Sequence, residues 1–155
     1  LQGQDIGLVS EAGMPAVADP GSSIVRAAHD LGIAVVPLVG PVSLLLALAA
    51  SGMNGQNFAF VGYLPQSGPE RAQRMKELES IALKTGQTQV FIETPYRNVA
   101  LWQALTQTLQ TNPRLAMAAG LTLETSQIHS QPIKQWRQKA PPVDNRTPTV
   151  FLIGR

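Results

Sequence analysis

Two proline-framed loops carry the first residues that could do chemistry. "EAGMPAVADPG", Glu11 to Gly21, gathers two acids, two glycines and two prolines with no basic residue, and Val39–Ser43, "VGPVS", is the second. Each joins an apolar, strand-like run to a helix-like run. In an open α/β sheet such loops lie beyond the carboxyl ends of the strands, where ligands bind. Neither contains G-x-G-x-x-G, a P-loop or a Lys or Arg, the groups a pyrophosphate at a helix N-terminus calls for. A dinucleotide or nucleoside triphosphate is therefore disfavoured. Exposed backbone held rigid by proline, with acids nearby, suits a ligand carrying a cation and neutral hydrogen-bonding groups.

The elements that must position these loops follow from periodicity. "DIGLVS" reads as a short strand, and "SSIVRAAHDLG" as a helix with Ile24, Val25, Ala28 and Leu31 at helical spacing and Gly32 as its stop. "IAVVPLVG" reads as a strand buried on both faces, and "PVSLLLALAASG" as an apolar helix ended by Gly52. Strand–helix–strand–helix with short connections predicts a parallel sheet covered by helices. Asp19-Pro20 and Thr94-Pro95 place a capping side chain before a proline at a helix start. "NGQN" at 54–57 is the linker. Beyond it come a strand "FAFVGYL", a loop whose Ser67 and Glu70 have capping-box spacing, and an amphipathic helix from Glu70 to Lys84. A strand "TQVFIE", a helix from Pro95 to Gln110 and three successive strand-like runs complete a mixed α/β domain with antiparallel strands near its end.

Composition sets the outer limits. The 155 residues are 44% hydrophobic and 14% charged, enough apolar content for a core and one or two small domains. Residues 1–69 hold four acids and one base, net −3, whereas 70–155 hold six acids and eleven bases, net +5. A basic half can meet a polyanion, although lysines and arginines on solvated helix faces give the same balance. The chain lacks cysteine, and His29 and His129 stand in no metal-ligand spacing, so no metal site is expected. Residues 32–69 carry no charged side chain, but prolines and glycines break them into pieces shorter than the ~20 residues of a spanning helix. They read as a buried strand and a buried helix. The chain opens at Leu1 in mid-pattern without a Met, which points to a fragment of a longer protein.

"VSEAGMPAVADPG", "VPLVGPVSLLLALAASGM", "FVGYLP", "VFIETPYR" and "GLTLE", in this order, resemble the tetrapyrrole methylase family, and within it the branch that methylates small-subunit ribosomal RNA on a cytidine ribose 2′-hydroxyl. The resemblance covers the whole chain. It implies the C-terminal part of a two-domain α/β fold, with 1–53 the remainder of an N-terminal cofactor-lining domain and 58–155 a mixed α/β domain. The family's N-terminal strands and its first glycine-rich loop have no counterpart here. It also implies S-adenosylmethionine, bound largely by backbone groups. Gly13, Met14 and Val17 match the loop lining the cofactor, Val42 and Ser43 the next helix start, and Glu93, Thr94, Leu121 and Thr122 the second domain's share. A cytoplasmic homodimer acting on ribosomal RNA or the small ribosomal subunit is the implied setting. Departures from that branch leave the acceptor open. Glu11 stands for Asp, Met14 for Thr, Tyr96 for His, and "GLTLE" lacks the acid and lysine of "ELTK". A tetrapyrrole or other small molecule is the alternative substrate, and a non-catalytic homologue that still binds the cofactor is the alternative role.

A hydroxyl acceptor needs a proton acceptor nearby. Glu11 and Glu93 are the candidates, while Asp19 reads better as a helix cap. Glu93 and Arg97, four residues apart, suit an ion pair at least as well as a substrate contact. Arg71, Arg74 and Arg97, with Lys76, are the candidate phosphate ligands, against the plainer reading of Arg71, Arg74 and Lys76 as a solvated helix face. Trp102 and Trp136 read as packing residues.

Overall fold

A computed structural model describes residues 3–155, and these divide into two compact units, one ending at Val42 and the other running from Ser43 to Arg155. Among the described residues of the first unit the regular element is α1, Ser22–Asp30. Gly21 precedes it with φ 136°, and a Cβ there would meet Leu8 Cδ2 at 2.9 Å and the Ala16 amide nitrogen at 3.3 Å. Only glycine meets both demands without strain. At the other end Leu31 N–H donates to Ala27 O and Ile33 N–H to Ala28 O, while Gly32 turns the chain at φ 68°.

Two strands expected in this unit do not form. "DIGLVS" and "IAVVPLVG" pair with no neighbour among the described residues, and Ile6, Val9, Val36, Leu38 and Val39 are exposed. β-propensity expresses a fit to a pleated, half-buried surface, so an apolar run without a ladder partner stays irregular. Asp19 is no cap either. The N-cap is Gly21, no side chain caps the helix, and the turn at Ala18 (φ 57°) and Gly21 carries the chain past Pro20 before α1 begins.

The second unit is a three-layer sandwich. Its sheet runs β1-β2-β5-β3-β4, built from Phe58–Tyr63, Thr88–Ile92, Thr149–Gly154, Arg114–Ala119 and Gln127–Pro132. β1 and β2 are parallel; β2–β5, β5–β3 and β3–β4 are antiparallel. This is the mixed α/β architecture that the strand-like runs predicted. Between Phe60 and Tyr63 the ladder slips by one residue, and Gly62 at φ 71° supplies the left-handed position of that bulge.

One sheet face is covered by α3, Gly68–Thr85, and α4, Asn98–Thr108. Met75, Leu78, Leu101, Trp102 and Leu105 meet Phe91, Leu115, Met117, Phe151 and Ile153 there in one buried cluster. Trp102 and Trp136 pack edge to face with centroids 4.9 Å apart, and the Trp136 indole N–H donates to Leu115 O at 2.9 Å. Both are packing residues, as expected. The alternate residues Val90, Ala116, Ala118, Val150 and Leu152 point to the opposite face, where α2, Ser43–Ser51, packs through Leu44, Ala47 and Leu48. The charge-free stretch thus divides into an exposed irregular run, a half-buried helix and, further on, β1. No helix among the described residues is long and apolar enough to cross a membrane.

The Ser67/Glu70 capping box is absent as well. Ser67 is the N-cap, but its side chain makes no capping bond, not even to the Glu70 amide at the third helical position. Its carbonyl accepts from the Arg71 N–H instead.

Candidate functional site

The first unit contributes the Gly13–Val17 turn. Val17 N–H donates to Met14 O at 3.2 Å and Ala16 N–H to Pro20 O at 3.2 Å, so the loop closes on itself without charged side chains. Gly13 (φ 78°), Ala16 (φ 65°) and Ala18 (φ 57°) are left-handed, a backbone that exposes peptide groups. A Cβ at Gly13 would meet nothing within 4 Å, so this position is open. Glu11 is exposed. Val42 is the last residue of this unit, and Ser43 opens α2 in the second.

In the second unit β2 ends in Glu93–Arg97, a turn containing the single 3₁₀ turn Pro95–Arg97. Glu93 is buried; its Oε1 accepts from the Thr94 N–H at 2.8 Å and the Thr94 hydroxyl at 3.1 Å, and forms an ion pair with the Arg97 guanidinium at 3.1 Å. Arg97 Nε also donates to Thr94 Oγ1 at 3.0 Å, and the guanidinium lies 5.1 Å from the exposed Tyr96 ring. Thr94 therefore does not cap with its side chain, as the Thr-Pro pattern predicted; its hydroxyl is spent between Glu93 and Arg97. The i,i+4 pairing of Glu93 with Arg97 does form.

The Gly120–Thr122 turn follows β3. Gly120 (φ 60°) and Thr122 (φ 72°) are both left-handed, Gly120 N–H donates to Pro148 O at 3.0 Å, and Leu123 N–H donates back to Gly120 O at 3.0 Å. β2 and β3 flank β5, with Ile92 opposite Val150 and Ala119 opposite Thr149. The Glu93–Arg97 and Gly120–Thr122 turns thus emerge at the same end of the sheet, on either side of the start of β5. Thr94, Leu121 and Thr122 share this rim with Glu93.

The phosphate candidates are dispersed. Arg74 pairs with Glu77 at 3.3 Å, and hydrogen bonds from Gln73 and Arg74 hold the Glu77 carboxyl below its ordinary range. That matches the plain reading of a solvated helix face. Arg71 is half-buried on the same helix. A cavity of about 330 Å³ is lined by Lys76, Glu79, Ser80, Leu83, Lys84, Thr108 and Gln110, and includes none of the cofactor residues named above. His29 and His129 are exposed, and no cluster of metal-ligating side chains exists among the described residues.

Asn98 was not foreseen from sequence. It is fully buried, and its Nδ2 donates to Asp144 O at 3.1 Å, Thr147 O at 2.9 Å and Thr149 Oγ1 at 3.3 Å. The 144–147 segment did carry a signal, an Asx-turn pattern in "DNRT". Asp144 Oδ1 accepts from the Arg146 and Thr147 amides at 2.8 and 2.7 Å.

With this geometry in hand, known proteins place the chain. It is 33% identical to the ribosomal RNA small subunit methyltransferase I of Vibrio cholerae over 135 residues, 87% of this chain and 46% of that protein. It is 34% identical to the enzyme of the same name from Haemophilus influenzae over 146 residues, 94% of this chain and 50% of that protein. The chain therefore spans about half the length of these curated relatives. In fold it is similar to the methyltransferase CobJ, with TM-score 0.57 and 19% identity over 92% of this chain and 62% of that one. The model of the Tetrapyrrole (Corrin/Porphyrin) Methylases matches residues 1–136, and the chain belongs to that family.

Proposed function

We propose that the chain is part of an S-adenosylmethionine-dependent methyltransferase acting on a ribose 2′-hydroxyl of ribosomal RNA. The observation that carries this reading is the similarity to small-subunit ribosomal RNA methyltransferases over most of the chain. The chemistry of the loops supports it. The Gly13–Val17, Glu93–Thr94 and Gly120–Thr122 turns offer backbone donors and acceptors, and the first has no basic side chain. Carbonyls suit a sulfonium and amides a carboxylate, so these residues fit the cofactor.

In this reading residues 1–53 belong to a cofactor-lining N-terminal domain and 58–155 form the C-terminal domain, with 54–57 as linker. Gly13, Met14, Val17, Val42 and Ser43 line the cofactor from the first, and Glu93, Thr94, Leu121 and Thr122 from the second. S-adenosylmethionine, held by these residues, would supply the methyl group to the ribose hydroxyl. The chain's own task is positioning, worth up to ~7–11 kcal/mol when the reacting groups are aligned. Glu11 and Glu93 are the candidates to accept the hydroxyl proton. Glu93 Oε1 is engaged by two donors and the Arg97 ion pair, and its Oε2 makes no hydrogen bond among the described residues. Arg71, Arg74 and Arg97 are the candidates to meet RNA phosphates, Arg74 and Arg97 while paired with Glu77 and Glu93. The working form is a cytoplasmic homodimer, and the exposed Leu45 and Leu46 of α2 suit a subunit contact.

Calorimetry with S-adenosylmethionine and S-adenosylhomocysteine tests the cofactor. Saturable binding of both is expected; absence of binding at high concentration contradicts the reading.

A further inference from the structure

The Glu93–Arg97 and Gly120–Thr122 turns are not adjacent in the sheet, since β5 runs between their strands. One loop, Asp144–Pro148, touches both sides. Towards Arg97 it receives the buried Asn98 side chain on the carbonyls of Asp144 and Thr147, while Asn145 Oδ1 accepts the Val99 N–H at 3.0 Å. Towards Leu121 it offers Pro148 O to the Gly120 N–H, and Thr147 Cγ2 lies 3.3 Å from where a Gly120 Cβ would stand. The loop is also closed internally. Asp144 accepts two amides and the Thr147 hydroxyl, and Thr149 Oγ1 donates to Thr147 O. Because that threonine proton is spent, Oγ1 accepts from Asn98. All three neighbours of Asn98 Nδ2 are oxygens, which fixes the amide's orientation. Asn98 Oδ1 is buried without a protein partner, a cost tolerated for the sake of the donor side.

We propose that Asn98 is a positioning residue: through the Asp144–Pro148 loop it sets the spacing between the Glu93–Arg97 and Gly120–Thr122 turns. This deepens the cofactor reading and rests on it, because both turns are cofactor segments in that reading. Asn98 is not among the residues assigned to the cofactor or the acceptor; its side-chain bonds run to Asp144, Thr147 and Thr149. Its amide ties the base of one turn to the loop that anchors the other, so loosening it lets the two halves of the rim drift apart.

The test measures the dissociation constant of S-adenosylhomocysteine by calorimetry, with thermal unfolding alongside, for the protein and three variants. Asn98→Ala removes the clasp, and Thr147→Ala loosens it at a half-buried position. Glu79→Ala is the control, removing the acceptor of the Gln110 N–H on the α3 side. The dissociation constant is expected to rise about tenfold in Asn98→Ala and about threefold in Thr147→Ala. Glu79→Ala should lower the melting temperature and leave the dissociation constant unchanged. If a folded Asn98→Ala binds as the parent does, the proposal is overturned. If Asn98→Ala does not fold, Thr147→Ala decides in the same way. Failure of the parent protein itself to bind overturns the cofactor reading, and the inference with it.

Discussion

Glu93 and Arg97 show how one pair can be structural and still shape a site. Glu93 is buried with Arg97 partly exposed beside it, so removing the guanidinium strands a carboxylate among the turn's amides. Arg97→Ala is expected to destabilise the second unit by about 2–3 kcal/mol in urea titrations. Arg97→Lys should recover most of that, losing about 1 kcal/mol for the missing Nε donor to Thr94. Equal losses for both variants would mean that the charge contributes little. The pairing was legible from the i,i+4 spacing of the two residues. Asn98, one residue further on, was not, because its partners lie 46 to 51 positions away and only the fold brings them near. The same limit applies at Gly21, whose φ and whose approach to Leu8 are tertiary facts. Gly21→Ala should cost about 1–3 kcal/mol locally, read as faster hydrogen exchange at the Ile24 and Val25 amides.

Most elements in the second unit were readable because they carry their period and end in a turn signal; "SQIHSQPIKQW", which reads as one strand, instead gives β4 and then a short helix, Ile133–Trp136. β5 is buried on both faces, and "TPTVFLIG" reads accordingly as a continuous apolar run. The first unit's strand-like runs are equally apolar, yet a strand exists only through its neighbour, which no single segment encodes. α2 shows the contrast within one element. Leu48 faces the sheet and Leu45 does not, so Leu48→Ala should cost about 2–3 kcal/mol and Leu45→Ala under about 0.5 kcal/mol, measured as shifts of the urea midpoint. The Asp144–Pro148 loop adds a pH signature. The Thr147 amide, then the Arg146 amide and the Thr147 hydroxyl, hold the Asp144 carboxyl below its ordinary value. A carboxylate depressed on folding stabilises above its unfolded pKa, and that stability is lost as pH falls through the folded one. The melting-temperature gap between the parent and Asp144→Ala should be constant above about pH 5 and narrow below about pH 4. A gap independent of pH would show that the carboxylate's charge is not what holds the loop.

At the scale of the molecule, a sparsely charged, acidic first part (net −3 over 1–69) and a basic second part (net +5 over 70–155) fit the proposed reading, in which the cofactor is bound through backbone and an anionic partner meets side chains. The family was legible from motifs strung along the whole chain. The acceptor was not, because Met14, Tyr96 and "GLTLE" depart from the motifs of that branch. The most direct test compares, by mass spectrometry, small-subunit ribosomal RNA from cells with and without the gene. The account predicts that one ribose loses its methyl group in the deletion and regains it when the gene is restored. Identical RNA in both strains, with a change in a methylated tetrapyrrole instead, would contradict it.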